Sequence, residues 1–248
     1  MFSCISSLWW VDSDTMKIPF FLSALVLAGC TPAQQSVPPG NHIVFFGDSI
    51  TELGDKPSGY VSLIRDSLSR SEHAGQFTVV GAGKSGNKVP DLIERVDRDV
   101  LALHPKVVVI YIGINDVWHF KLPFRTGTPK DEYERGLREL VARIIATGSR
   151  VLLCTPSMVG ERHNGSNELD AMLDEYAAIS RTVARSMNIP LCDLRAAFLS
   201  FLREHNPHNL DRGILTTDQV HLNDAGNRLV EREILKALTE YGILKSPD

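Results

Sequence analysis

His42-Ile-Val-Phe-Phe-Gly-Asp-Ser-Ile-Thr51 decides the fold. Four bulky apolar residues in succession read as a buried β-strand, Gly47 breaks the run, and Ser49 lands on the turn that follows, where a hydroxyl stands free at the rim of a sheet. The pattern recurs downstream. Phe77-Thr-Val-Val-Gly-Ala-Gly-Lys-Ser-Gly-Asn87 is a short strand that opens into a glycine-rich loop at Gly86, and Val107-Val-Val-Ile-Tyr-Ile-Gly-Ile-Asn-Asp116 ends in a glycine turn carrying Asn115. Strands are also expected at Arg150–Cys154 and Pro190–Asp193. Helices are expected near Gly59–Ser71, Pro90–Leu103, Pro129–Thr147, Glu168–Met187, Ala196–Glu204 and Asp224–Tyr241. Thr128 supplies a capping hydroxyl ahead of Pro129 at the third of these, and Gly148 its stop. Short Val/Ile/Leu-rich strands alternating with helices imply an α/β fold: a parallel sheet covered on both faces, with ligands bound at the carboxyl ends of the strands.

Near the carboxyl end, Thr217-Asp-Gln-Val-His-Leu222 places Asp218 and His221 three residues apart just ahead of the last helix. A serine hydroxyl is a poor nucleophile at neutral pH unless a base takes its proton. That base works best when a carboxylate fixes its tautomer and stabilises the imidazolium. Ser49, His221 and Asp218 are the three parts of such a device, and a backbone N–H beside a glycine together with a side-chain amide suits a developing oxyanion. Each residue has a plainer reading alone: Ser49 or Asp48 as a turn cap, Asp218 as a helix-start residue, His221 as a surface histidine, Asn115 and Asp116 as turn formers. Their co-occurrence at three strand ends and one late loop favours the chemical reading.

Gly47-Asp48-Ser49, Gly86, Gly113-x-Asn115-Asp116 and Asp218-x-x-His221, in that order, resemble the blocks of the SGNH (GDSL) hydrolase superfamily over roughly Ile43 to Leu238. The resemblance implies a three-layer α/β/α sandwich with a five-stranded parallel sheet, flavodoxin-like in topology. It implies Ser49 as nucleophile, His221 as base and Asp218 as orienting carboxylate. The oxyanion donors would be the Ser49 N–H, the Gly86 N–H and the Asn115 amide. Gly-Asp-Ser in place of Gly-x-Ser-x-Gly argues against the ordinary α/β-hydrolase elbow. The activity implied is hydrolysis of carboxylic esters through an acyl-enzyme, with neither cofactor nor metal. Short-chain or carbohydrate acetyl esters rank ahead of lysophospholipids. A reading from another class is a non-catalytic glycan-binding lipoprotein, against which the complete triad weighs.

The chain has 248 residues, 23% of them charged, and a net charge of −4, which gives no basic field for nucleic acid. From Met16, Met-Lys-Ile-Pro-Phe-Phe-Leu-Ser-Ala-Leu-Val-Leu-Ala-Gly-Cys30 has the basic start, short apolar stretch and small-residue end of a signal peptide. Its ending resembles the lipobox of bacterial lipoproteins, which implies export, lipidation of Cys30 and membrane contact through that anchor alone. Residues 1–15 fit no part of such a peptide, and Met16 is an alternative first residue. The resemblances thus imply residues 1–30 as leader and lipoprotein-type signal peptide, 31–41 as a flexible, Pro-rich tether and 42–243 as the hydrolase domain. Of the 4 cysteines, Cys154 and Cys192 fall in the domain, as small buried thiols or as a bridge. The histidines other than His221 lack metal-ligand spacing. Trp118, His119 and Phe120 directly follow Asn115 and are expected to wall one side of a substrate pocket.

Overall fold

The structure, a computed structural model, describes residues 40–123 and 125–245. The leader with Cys30, all of the tether except its last two residues, and Phe124 lie outside the described residues.

Five strands form one parallel sheet: β1 (His42–Gly47), β2 (Thr78–Gly83), β3 (Val107–Tyr111), β4 (Arg150–Cys154) and β5 (Leu191–Cys192), in the order β2-β1-β3-β4-β5. The apolar runs form strands because both faces are covered: Ile43 to Phe46 and Val107 to Ile112 are almost wholly buried. The helices are α1 (Ser49–Gly54), α2 (Tyr60–Ser69), α3 (Val89–Asp99), α4 (Ile114–Trp118), α5 (Lys130–Ile145), α6 (Asp170–Ser186), α7 (Leu194–His205) and α8 (Asp224–Glu240). α5 packs against α3 and α6, α8 packs against α2 and α7, and these two groups are the outer layers of the sandwich. No helix among the described residues is long and apolar enough to cross a membrane.

The six expected helices and five expected strands are all present, with ends shifted by a few residues. Two short helices, α1 and α4, were not expected; six and five residues carry no helical periodicity to read. The capping expectation at α5 is corrected. Pro129 holds the cap position without a side-chain bond. Thr128 is buried instead: its N–H donates to the Asp116 carbonyl at 2.9 Å and its own carbonyl accepts from the Tyr176 hydroxyl.

Strand register is what assembles the site. Gly47 of β1 sits level with Gly83 of β2 on one side and Tyr111 of β3 on the other. The three strands therefore end on one line. Chain order reverses at β1, since β2 adds to one side and β3 to the other, so this edge is the switch point where open parallel sheets bind ligands.

Candidate active site

Asp48 caps α1, its Oδ1 accepting the Ile50 N–H at 2.9 Å, which forces the chain to turn straight from β1 into a helix with Ser49 as its first residue. A first helical residue has an N–H that no intrahelical carbonyl reaches, so the Ser49 N–H is left for another acceptor. Only glycine fits at 47, because a Cβ there would collide with Thr51 Oγ1 and the Tyr111 carbonyl. Burial, with the neighbouring Asp116 charge, pushes the Asp48 carboxyl up to about 7, and burial raises Asp116 to about 6. Asp116 accepts the Val89 N–H at 3.1 Å, tying the Asn115 turn to the start of α3.

A buried arginine that the motif blocks do not include locks this edge together. Arg95 lies on α3, stacks 4.4 Å from the Phe46 ring centroid, and donates to the Gly47 carbonyl (2.8 Å), the Ala82 carbonyl (3.0 Å) and Asn87 Oδ1 (2.6 Å). One side chain thus spans the ends of β1 and β2 and the Gly86 loop. Its only sequence signal is an arginine on the apolar stripe of an expected helix.

The late loop is held in a different way. Thr216 and Leu222 form an isolated antiparallel bridge, and the Thr217 N–H donates to the His221 carbonyl at 2.8 Å, so residues 217–221 make a closed loop. Asp218 folds its interior: Oδ1 accepts the Val220 N–H (3.1 Å) and the His221 N–H (2.8 Å). This explains the spacing of three, since one carboxylate fixes the histidine's backbone and its ring together. Gln219 between them adopts φ +82°, a strained conformation for a non-glycine residue, and is pinned by bonds to Asp211 and to the Gly160 N–H.

Beneath this loop lies Glu161, fully buried. Its Oε2 accepts the Ile214 N–H at 2.7 Å, while Oε1 accepts the Leu215 N–H at 2.8 Å, the Thr216 hydroxyl at 2.7 Å and the Thr216 N–H. Glu161 carries no motif signal, because its partners are more than fifty residues away along the chain.

The loop brings His221 over Ser49. His221 Nδ1 is 2.7 Å from Asp218 Oδ2, and Nε2 is 3.0 Å from Ser49 Oγ. An ionised carboxylate only accepts, so Nδ1–H donates to Asp218, and Nε2 is left to accept the Ser49 hydroxyl proton. Partial burial raises the Asp218 pKa, but the bonds from the His221 ring, the His221 N–H and the Val220 N–H outweigh it and hold the carboxyl below the ordinary aspartate value. Asp218 remains half exposed at 53% of its side-chain surface.

Ser49, Ser85, Gly86, Asn115, Trp118, His119, Leu122, Arg125 and His221 line one cleft of about 300 Å³. Gly86 has φ +77°, which favours glycine. The Asn115 amide donates to the Asn87 carbonyl at 3.0 Å, which fixes its orientation and leaves its second N–H free to donate. Of the three residues expected at a substrate pocket, Trp118 and His119 line this cleft and Phe120 does not. It is 43% exposed and its ring lies over Gly127, where the absent Cβ leaves it room. His119 is buried beside Arg125, and burial and that cation push it down to about 4. Trp118 also borders a second, polar depression of about 270 Å³ that includes Lys121, Arg162, Asp211 and Gln219. Cys154 and Cys192 face each other across β4 and β5 as free thiols, and burial pushes the Cys154 thiol up, which suppresses its reactivity. Among the described residues no cluster of His, Cys, Asp or Glu is placed to hold a metal.

Residues 45–229 match the GDSL-like lipase/acylhydrolase family. The acetylxylan esterase of Geobacillus stearothermophilus is 33% identical over 216 residues, 80% of this chain and 94% of that protein. The crystal structure of an acetyl xylan esterase, AlAXEase, superposes with a TM-score of 0.77 at 43% identity, covering 79% of this chain and 99% of the other. An isoamyl acetate-hydrolyzing esterase 1 homolog of Rattus norvegicus is 26% identical over 76% of this chain and 77% of its own length. Sequence match and shared fold agree over the segment that carries the serine, both strand-end loops and the closing histidine loop: the chain belongs to the GDSL-like lipase/acylhydrolase family and is a carboxylic ester hydrolase.

Proposed function

We propose that this protein is a serine esterase that removes acetyl groups from carbohydrate by an acyl-enzyme route. The observation that carries this reading is the unbroken contact from Asp218 through His221 to Ser49 inside a small cleft. As the Ser49 hydroxyl attacks the ester carbonyl, its proton passes to His221 Nε2, and Asp218 stabilises the imidazolium. Negative charge gathers on the carbonyl oxygen, where the Ser49 N–H, the Gly86 N–H and the Asn115 amide are the donors. His221 returns the proton to the departing sugar oxygen. It then takes one from water, whose attack releases acetate and free Ser49.

Acetyl selectivity rests on the size of the cleft and on Trp118 at its wall, and three relatives named for acetyl esters support it. The polar depression beyond Trp118 offers hydrogen-bonding room for sugar. The test is release of acetate from acetylated xylo-oligosaccharides, together with the ratio of kcat/KM for p-nitrophenyl octanoate over acetate. That ratio starts low and rises about tenfold in Trp118→Ala, the scale of relieving one hydrophobic contact. A wild-type preference for octanoate makes the protein a lipid acyl hydrolase, and a Trp118→Ala variant that only loses stability returns the ring to the core.

The residue chemistry around Cys30 supports an exported lipoprotein, with residues 1–30 as leader, 31–41 as tether and 42–243 as the catalytic domain. Mass spectrometry of the mature protein will find diacylglyceryl-cysteine at Cys30 as its first residue, and any other amino terminus refutes the anchor.

A further inference from the structure

A guanidinium that pairs with no carboxylate among the described residues overhangs the catalytic cleft. Arg125 is exposed and lines the cleft with Ser49, Gly86, Asn115 and His221. Its Nη1 would lie 3.1 Å from a Cβ built on Gly86, so it stands directly over the loop that is proposed to bind the oxyanion. Two other cations nearby are engaged: Lys121 pairs with Glu168, and Lys88 donates to the Thr126 carbonyl at 2.9 Å. Two acidic groups on the flanking helices are hydrogen-bonded elsewhere: Glu52 of α1 accepts from Ser85, and Asp91 of α3 accepts the Lys88 N–H. Arg125 has one side-chain partner among the described residues, His119, whose Nε2 is 3.2 Å from Nη1.

The choice of that partner is informative. A guanidinium only donates, so His119 Nε2 must accept, which fixes the neutral Nδ1–H tautomer. Burial and the adjacent cation keep the ring neutral, with its pKa near 4. A carboxylate in the place of His119 would hold the arginine equally well and cancel its charge. A neutral acceptor orients the guanidinium and leaves its full charge, with most of its N–H groups, available. This happens in a chain whose net charge is −4, so general surface charge does not account for a cation at the cleft.

We infer that Arg125 is a specificity residue that recognises a carboxylate carried by the ester substrate, either on the sugar that bears the acetyl group or on the acyl group itself. The planar fork of the guanidinium matches a carboxylate with two parallel hydrogen bonds, stronger than those to neutral hydroxyls. The inference rests on the esterase reading and narrows it to acidic esters.

Two matched pairs, assayed with the full-length protein, test it and separate the two sources. Monoacetylated methyl glucuronoside against monoacetylated methyl glucoside places the charge on the alcohol. p-Nitrophenyl hydrogen succinate against p-nitrophenyl butyrate places it on the acyl group. In one pair the wild type favours the acidic member, and Arg125→Ala lowers the acidic-to-neutral ratio of kcat/KM by about tenfold, the scale of one charge-assisted contact. Arg125→Lys, which keeps the charge and loses the fork, falls between, and added salt shrinks the preference. A ratio that Arg125→Ala leaves unchanged in both pairs overturns the inference. So does a parallel fall for acidic and neutral members, which would make Arg125 an electrostatic support of the oxyanion. Titration calorimetry of the same compounds with Ser49→Ala protein reads the preference without turnover. Failure of the esterase assignment then remains distinguishable from failure of this one.

Discussion

Ser49→Ala protein will fold normally and hydrolyse p-nitrophenyl acetate about 10⁴ to 10⁶ times more slowly than wild type, the loss seen when a serine–histidine device loses its nucleophile. The contact geometry motivates this result, since Ser49 Oγ lies 3.0 Å from His221 Nε2. His221→Ala costs about as much, and the double variant little more, because the two groups act as one unit. Asn115→Ala separates the oxyanion donors from the nucleophile. It lowers kcat by about 10² to 10³ with little change in KM, because its amide bonds best to charge that exists only in the transition state. Retention of more than a few per cent of activity by Ser49→Ala removes the serine from the mechanism. An unchanged kcat in Asn115→Ala returns that residue to the role of turn former.

The second large effect lies at a residue that touches no substrate. Glu161→Ala deprives three backbone N–H groups and the Thr216 hydroxyl of their acceptor in a buried place. A buried donor left unsatisfied costs on the order of 1 to 3 kcal/mol, and partial rescue by water brings the total here to about 3 to 5 kcal/mol. In a domain of this size that lowers Tm by about 10 °C. Glu161→Gln is the sharper probe. One amide oxygen still accepts, but the amide nitrogen then faces the N–H groups opposite, so residues 214–216 shift and carry the Asp218–His221 loop with them. The expected outcome is a folded protein with kcat reduced about tenfold or more and KM nearly unchanged, since misplacing a base affects the chemical step. Native kcat and native Tm in both variants would show that the loop keeps its shape without the clamp.

The parts of the molecule legible in the sequence are those with local patterns. β1 and β3 could be read because bulky apolar residues follow one another without a polar alternate, and α5, α6 and α8 because their apolar stripes persist for four turns. The contact among Ser49, His221 and Asp218, the proposed triad, could be read because Gly-Asp-Ser is tied to the end of a strand and Asp-x-x-His is one closed turn. What escaped was set by distant pairing. Glu161 meets its partners across a loop, Arg95 crosses from a helix to two strand ends, and Arg125 acquires meaning only through His119 and Gly86. Phe120 was placed on the pocket wall by its position after Asn115. A tight turn after α4 rotates it outward over Gly127, a change of direction that composition does not reveal.

In the proposed mechanism acetyl passes through a covalent bond to Ser49. Rapid acid quenching of the protein during turnover of p-nitrophenyl acetate, followed by peptide mass spectrometry, tests it directly. One added acetyl group is expected on the peptide containing Ser49, absent in Ser49→Ala. Acetyl on a different residue, or more than a few per cent of wild-type turnover in Ser49→Ala, would overturn that route.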